Sequence, residues 1–304
     1  MRAGCCWREG LLGLSAAWRW LEVVYLGSGH NTMQFAICNE LFTDWTWEKT
    51  CQFSAECGYE GIEVAPYTLA SRINEVSNDQ RRKLSQQAEA AGIEVVGLHW
   101  ILAKTEGLHL TSPEFDVRNR TSEYLKELIR ACRDIGGDIM VFGSPQQRDR
   151  LPGVTHEKAT DFAVQTITDI LPVLETNNVT LCMEPLAPSE TNFLQTCAET
   201  IALVDRIGHE NVTLHLDVKA MSSEQVSIVD LIKKYGPRAG HFHANDANLL
   251  GPGFGEIDFG PIFQALNEVS YQGWVSVEVF DYSPGPERLA KDSISYMKQF
   301  LNAS

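Results

Sequence analysis

The sequence predicts an α/β fold of the (β/α)8 TIM barrel type, a single domain over residues 33–304 that follows an N-terminal extension, residues 1–32. Strand-like and helix-like patterns alternate eight times after Met33. Each strand-like run is short and rich in Val, Ile or Leu, as is typical of parallel strands covered on both faces. No GxGxxG turn follows the first strand, which argues against a doubly wound open sheet. A barrel of about 250 residues forms one domain, so the length suits this fold.

The predicted elements follow one another in regular order. Strands are predicted at residues 34–38, 61–64, 93–99, 138–142, 179–184, 212–217, 239–243 and 274–278. Helices are predicted at 79–91, 118–135, 156–177, 196–207 and 286–301. Asp79 and Thr155 have the residue type and position of helix starts. The longest unpatterned stretches are 104–117 and 246–261, and the second is expected either to cover a site or to be an ordinary loop.

Residues 1–32 lack the strand pattern of the barrel. Their apolar centre is short and is interrupted by Arg19, which argues against a signal peptide. We interpret the segment as a non-catalytic extension, with a targeting role as the alternative.

Composition excludes several classes of partner. The formal charge of -15 and the isoelectric point near 5.0 argue against nucleic acid, because phosphate binding needs a dense basic face. No apolar run reaches the roughly 18 residues that cross a bilayer, so no membrane partner is expected. The eight cysteines form no CxxC pair, and we interpret them as reduced thiols of a cytoplasmic protein.

Four residues suited to metal binding end successive predicted strands: Glu184, Asp217, His243 and Glu278. Their spacings of 33, 26 and 35 residues each match one strand-plus-helix repeat. A parallel barrel would bring all four to one rim, where they would hold one divalent cation. The donors are mostly oxygen, which favours Mn²⁺, Mg²⁺ or Co²⁺, with Zn²⁺ as a further candidate. Side-chain alternation places His215 under Asp217 and His241 under His243.

A cation at this rim would bind two adjacent oxygens of a hydroxy-carbonyl substrate and stabilise the enediolate formed when a proton leaves. Two carboxylates could then remove and return that proton. Glu184 and Glu278 are expected to be the two carboxylates that transfer the proton. Asp217 and His243 are expected to bind the metal only.

These residues lie in four sequence motifs that resemble those of a known family. EPLAPSETNFLQT begins at Glu184, HLDVKAM contains Asp217, HFHANDANLLGPGFGEIDF contains His243, and WVSVEVF contains Glu278. The chain resembles the xylose isomerase-like superfamily of sugar phosphate isomerases and epimerases over residues 34–301, and its nearest branch is similar to the D-tagatose 3-epimerases. The resemblance implies that Glu184 and Glu278 act both as ligands and as acid and base. It also implies that Glu190 contacts substrate and that His243, rather than His241, binds the metal.

Two positions depart from that branch. The branch carries a substrate-binding His where this chain has Ala220, and an Arg where it has Leu249. These two differences leave undecided whether this chain shares the branch's specificity for free ketoses. Lys219, beside Ala220, is expected either to replace the missing polar contact or to be a solvated lysine.

Other polar and aromatic residues near strand ends are candidates for substrate binding. His99 and Glu63 end predicted strands and are expected to contact substrate, with a satisfied core role as the alternative. Arg148 is expected to bind a phosphate or carboxylate, or to be a loop arginine. Trp45 and Trp100 either stack on a sugar or only pack.

The sequence therefore predicts a metal-dependent isomerase or epimerase of a sugar, sugar phosphate or polyol derivative, whose partner is a small carbohydrate. The alternative is a metal-dependent dehydratase of a keto-polyol, similar to an inosose dehydratase, because it shares the first proton removal. An AP endonuclease-like hydrolase is disfavoured by the acidic charge and by Gly143 and Ala220, where that branch needs histidines. A sugar sensor would not need two acid/base carboxylates. A homo-oligomer is compatible with the family, and no sequence feature decides it.

Overall fold

The computed structural model of the protein describes residues 33–301, which contain a closed barrel of eight parallel strands in sequence order. This confirms the predicted fold class. The prediction for residues 1–32 lies outside the described residues. The strands are β1 (Gln34–Cys38), β2 (Gly61–Val64), β3 (Glu94–Leu98), β4 (Ile139–Phe142), β5 (Thr180–Met183), β6 (Val212–Asp217), β7 (Ala239–Ala244) and β8 (Trp274–Val277).

Helices lie between the strands. They are α1 (Trp47–Cys57), α2 (Asn78–Ala91), α3 (Phe115–Asp134), α4 (His156–Thr168), α5 (Leu171–Asn177), α6 (Cys197–Ile207), α7 (Val218–Met221), α8 (Ile228–Tyr235), α9 (Phe259–Glu268) and α10 (Pro286–Lys298). Among the described residues, no helix has the length and apolar character needed to cross a bilayer.

The helix starts are set by local capping. The hydroxyl of Thr155 accepts a hydrogen bond from the backbone N–H of Lys158, so Thr155 caps α4 as predicted. The predicted start of α2 at Asp79 is corrected by two residues, because Ser77 is its cap. Ser77 Oγ accepts from the N–H of Gln80, and the Gln80 side chain accepts from the N–H of Ser77.

One predicted helix is two helices. The pattern over 156–177 is interrupted where α4 ends at Thr168 and α5 begins at Leu171. Pro172 lies in the first turn of α5, where its missing N–H costs nothing, whereas in the middle of a longer helix it would remove a backbone bond and clash with the preceding turn. The proline therefore forces the break.

Strand register positions the functional rim. Parallel pairing between β6 and β7 sets His215 opposite His241 and Asp217 opposite His243, after an irregularity at Leu214. Side chains two residues apart on a strand share a face, so each of these pairs forms one layer inside the barrel. All four side chains are buried.

The segment 246–261 is folded around Asp246. The carboxylate of Asp246 accepts from the backbone N–H groups of Asn248 and Ile257. The carbonyl of Leu249 accepts from the N–H groups of Phe280 and Asp281, which ties the segment to the end of β8. Leu249, one of the two departures, is exposed with a φ of 72°.

Candidate metal centre

The four residues predicted to bind metal converge at the carboxyl ends of the last four strands. Glu184 directly follows β5, Asp217 ends β6, His243 lies in β7 and Glu278 directly follows β8. All four are buried. Parallel strands of a barrel end at one rim, which explains how residues so distant in the chain meet.

Direct contacts join these side chains. His243 Nδ1 lies 3.2 Å from Oε2 of Glu278. Asn245 donates its amide N–H to Oδ2 of Asp217 and also lies 3.5 Å from Oε2 of Glu278. The Asn245 carbonyl oxygen accepts from the backbone N–H of Lys219. Asn245 was not predicted, and its position two residues after His243, at the end of β7, was the available signal.

The largest cluster of potential ligands among the described residues differs from the predicted four. Glu184, His215, Asp217 and His243 each offer one donor atom, and these atoms all lie within 4.8 Å of one another. Glu278 is outside this group but contacts His243. Bonds of about 2.0–2.2 Å from one ion to nitrogen and oxygen place its ligands at such separations. The donor set therefore fits a single divalent cation.

The charges of the site also fit a cation. Burial, together with the carboxylates of Glu278 and Asp217, holds the pKa of Glu184 well above its usual range. Burial and Glu278 raise the pKa of Asp217 to about 6. Crowded, buried carboxylates repel one another, and a positive charge among them offsets that cost. The arrangement is typical of a metal site.

Gly143 makes room for Glu184. A Cβ at residue 143 would lie 2.0 Å from Oε2 of Glu184, a separation that atoms do not tolerate. Gly143 directly follows β4, so the absence of a side chain there lets the Glu184 carboxylate reach the rim.

His99 and Trp100 form a second wall of the site. His99 Nε2 lies 2.6 Å from Oε2 of Glu40, and its ring lines the cavity above the metal residues. Trp100 donates its indole N–H to Oε1 of Glu278. The predicted place of His99 at the cavity is thus consistent with a substrate contact. Glu40, in a short turn after β1, was not predicted.

Glu63 does not reach the cavity. Its Oε1 lies 2.6 Å from His241 Nε2 and 3.3 Å from His243 Nε2, and the side chain is fully buried. We therefore revise its predicted substrate contact. Glu63 orients His243 by engaging the ring nitrogen opposite the one near Glu278, as carboxylates do for metal-bound imidazoles.

Arg148 is also deeper than predicted. Its guanidinium is fully buried and donates to the backbone carbonyls of Phe142, Glu184 and Leu194. Burial lowers its pKa to about 10. The side chain lines neither cavity described below. The expectation that Arg148 binds a substrate anion is therefore corrected, because the guanidinium is occupied in holding the strand ends.

Glu190 and Lys219 form an ion pair at the cavity. Lys219 Nζ donates to Oε1 of Glu190 over 2.7 Å and lies 4.4 Å from the centre of the Phe280 ring. Oε2 of Glu190 is buried, and no residue from 33 to 301 offers it a hydrogen bond. Lys219 is thus not a solvated lysine, and Glu190 presents a free acceptor beside the cavity.

Two cavities adjoin at the rim. The first is a narrow cleft lined by residues that include Glu184, His243, Glu278, Glu190 and Lys219. The second is wider and is lined by Glu40 and by aromatic side chains that include Trp45, Tyr67 and Tyr282. The Glu40–His99 pair connects their walls.

Comparisons with known proteins agree with this architecture. A family model described as xylose isomerase-like TIM barrel matches residues 51–300. The D-psicose 3-epimerase of Enterocloster bolteae is 28% identical over 243 residues, which cover 79% of this chain and 78% of that protein. The D-psicose 3-epimerase of Agrobacterium fabrum is 28% identical over 252 residues, covering 79% and 83%.

A solved structure supports the fold. The crystal structure of a D-psicose 3-epimerase in the presence of D-fructose aligns with a TM-score of 0.78 at 22% identity, over 89% of this chain and 100% of that one. At this identity the likeness supports the barrel alone.

Proposed function

The chain belongs to the xylose isomerase-like TIM barrel family, as its strand-end motifs predict, and we propose that it is a metal-dependent epimerase of a carbohydrate. The two relatives described above are named as D-psicose 3-epimerases, which bears out the predicted isomerase class. The proposed reaction inverts a carbon next to a carbonyl group by removing its proton and returning one to the other face.

One observation carries this proposal. Glu184 and Glu278 both line the first cavity, together with the His243 imidazole. Two carboxylates are required if one removes the proton and the other supplies a proton to the opposite face. We assign these roles to Glu184 and Glu278.

The ion itself would be held by Glu184, Asp217, His243 and Glu278. A divalent cation bound there polarises the substrate carbonyl and lowers the pKa of the neighbouring C–H. Asn245 fixes the Asp217 carboxylate, Trp100 fixes Glu278, and Glu63 fixes His243. Three of the four assigned side chains therefore have a partner that orients them before substrate binds.

The remaining walls suit a carbohydrate. The free Oε2 of Glu190 can accept a hydrogen bond from a hydroxyl group, and Lys219 and His99 supply further polar contacts. Trp100 and Phe280 offer apolar faces to the C–H side of a sugar ring or chain. Ala220 donates its backbone N–H to Asp217 and has no polar side chain to offer, so Lys219 and Glu190 take the polar role at this side. The six described cysteines are unpaired, which supports a cytoplasmic location as part of the proposal.

Solvent deuterium incorporation tests the reaction directly. The enzyme, loaded with Mn²⁺ or Co²⁺, would be incubated in D₂O with a panel of free ketoses, ketose phosphates, keto-glycosides and keto-inositols. We expect one deuterium at the carbon beside the carbonyl and an epimeric product. Formation of an enone from a keto-inositol would instead identify the dehydratase. Absence of exchange across the panel with a metal-loaded, folded enzyme would count against proton removal as the first step.

A further inference from the structure

We propose that His215 is a second imidazole ligand of the metal ion, so that the donor set contains two nitrogens rather than one. This inference rests on the metal site of the proposed function and goes beyond it. The sequence motifs place only His243 in the ligand set, and His215 lies one layer deeper on β6.

Distances place His215 among the ligands. One of its ring nitrogens belongs to the group, with Glu184, Asp217 and His243, whose donor atoms all lie within 4.8 Å of one another. The ring centres of His215 and His243 are 4.2 Å apart, with planes at 74°. An edge-to-face arrangement at this distance lets both rings direct a nitrogen towards a common point.

The absence of hydrogen bonds to the His215 ring, among the described residues, is an independent observation. The side chain is fully buried, and neither ring nitrogen has a hydrogen-bond partner among residues 33–301. A buried polar atom without a partner costs about 1–3 kcal/mol, so a neutral imidazole that satisfies neither nitrogen needs an explanation. Coordination of an ion by one ring nitrogen supplies a partner for that nitrogen.

The neighbouring imidazoles do not share this property. His241 stacks against His215 in the same layer, but its Nε2 is engaged by Glu63 at 2.6 Å. His99 is engaged by Glu40 at 2.6 Å. Within the described barrel, His215 is therefore the buried histidine with both nitrogens free, and it shares a ligand group with Glu184 and Asp217.

A second nitrogen changes which ion the site prefers. Imidazole suits Zn²⁺, Co²⁺ and Ni²⁺, whereas a set dominated by carboxylates suits Mg²⁺ and Mn²⁺. We therefore expect this chain to select Co²⁺ or Zn²⁺ over Mg²⁺ more strongly than a site with one imidazole would.

The nitrogen ligands can be counted by electron paramagnetic resonance. The full-length protein would be treated with chelator, loaded with one equivalent of Cu²⁺, and examined for hyperfine coupling to ¹⁴N. We expect coupling to two imidazole nitrogens in the natural protein and to one in His215→Asn. The control is His241→Asn, the same substitution in the same layer, which should retain two.

Calorimetric titration provides a second readout. We expect the affinity of His215→Asn for Co²⁺ to fall about tenfold or more, since loss of even an outer partner costs about 10–100-fold, while its affinity for Mg²⁺ falls less. If His215→Asn does not fold, His215→Leu replaces it, because an apolar side chain leaves no unpaired group in the core.

The outcomes separate this inference from the proposed function. One coupled nitrogen in the natural protein, unchanged in His215→Asn, overturns the role of His215 and leaves the metal site standing; a buried water then satisfies the ring. Failure of the natural protein to bind Cu²⁺, Co²⁺ or Mn²⁺ overturns both.

Discussion

Trp100 donates its indole N–H to Oε1 of Glu278 over 2.7 Å, from a backbone with φ of 52°. Bulky residues rarely adopt this region, so the surrounding structure holds Trp100 there at a cost. The bond occupies one oxygen of Glu278 and leaves the other beside His243. Such a strained residue at a cavity wall is consistent with the orientation of Glu278 as a functional requirement.

We expect Trp100→Phe to lower kcat about 10–100-fold and to lower the melting temperature by roughly 3–10 °C. The substitution removes a hydrogen bond to a charged group, worth about 1.5–3 kcal/mol, and keeps an aromatic ring in the wall. Steady-state kinetics with saturating Mn²⁺ measures the effect. Trp47→Phe is the control, because it removes an indole bond to the carbonyl of Leu84 instead. Equal kcat in both variants would show that the Trp100 bond does not orient Glu278.

Glu184→Gln and Glu278→Gln should each reduce turnover by about 10²–10⁴-fold, because an amide cannot transfer the proton. The fold should persist, since the amide keeps the size of the side chain. Deuterium exchange and circular dichroism measure the two properties. Glu123→Gln, an exposed residue of α3 paired with Lys126, serves as the control. Full exchange in either site variant would refute the acid/base assignment.

Removal of divalent metal should abolish exchange and lower the melting temperature. An ion at about 100 times its Kd stabilises the folded state by about 2.7 kcal/mol. For a chain of this size, that corresponds to about 5–10 °C, measured by a thermal melt with and without chelator. Readdition of Mn²⁺, Mg²⁺ or Co²⁺ should restore both properties. Undiminished exchange in chelator would remove the metal from the mechanism.

Arg148→Met should destabilise the fold by about 1–3 kcal/mol, because it leaves the buried carbonyl of Glu184 without its donor, whereas the carbonyls of Phe142 and Leu194 keep the backbone N–H groups of Glu184 and Leu186. Denaturant unfolding measures the change. KM of the folded enzyme should be little affected, since Arg148 lies outside the cavity lining. Arg150→Met, whose guanidinium donates at the surface to the carbonyl of Asn192, is the matched control. A stable Arg148→Met with a raised KM would restore the substrate-binding interpretation.

The sequence predicted the barrel and its rim because both depend on regular spacing. Strands that alternate with helices must close in order, and a polar residue that ends an apolar strand must lie at the common edge. Glu184, Asp217, His243 and Glu278 were found in this way. Side-chain alternation also placed His215 under Asp217.

The contacts that the sequence did not predict join residues across the barrel, and they depend on the directions and distances of their side chains. Glu40 meets His99 over 59 residues, and Asn245 meets Asp217 over 28, so no local pattern links them. The loop after β4 turns Arg148 inward onto carbonyls, and loop conformation is not encoded in hydrophobic spacing. Spacing in the sequence also does not give the position of the His215 ring to within the few ångströms that metal coordination requires.

The Lys219–Glu190 ion pair should contribute to substrate binding rather than to the stability of the fold. Lys219→Met removes a charged donor from the cavity wall but keeps the length of the side chain, so we expect KM to rise about tenfold or more and kcat to change little. The control is Lys233→Met, which breaks a surface pair with Glu268 at 2.8 Å and should leave KM unchanged. Steady-state kinetics on the substrate identified by deuterium exchange distinguishes the two variants. An unchanged KM in Lys219→Met, with a lower melting temperature, would make the pair a structural one, because the cavity would then bind substrate without its charge.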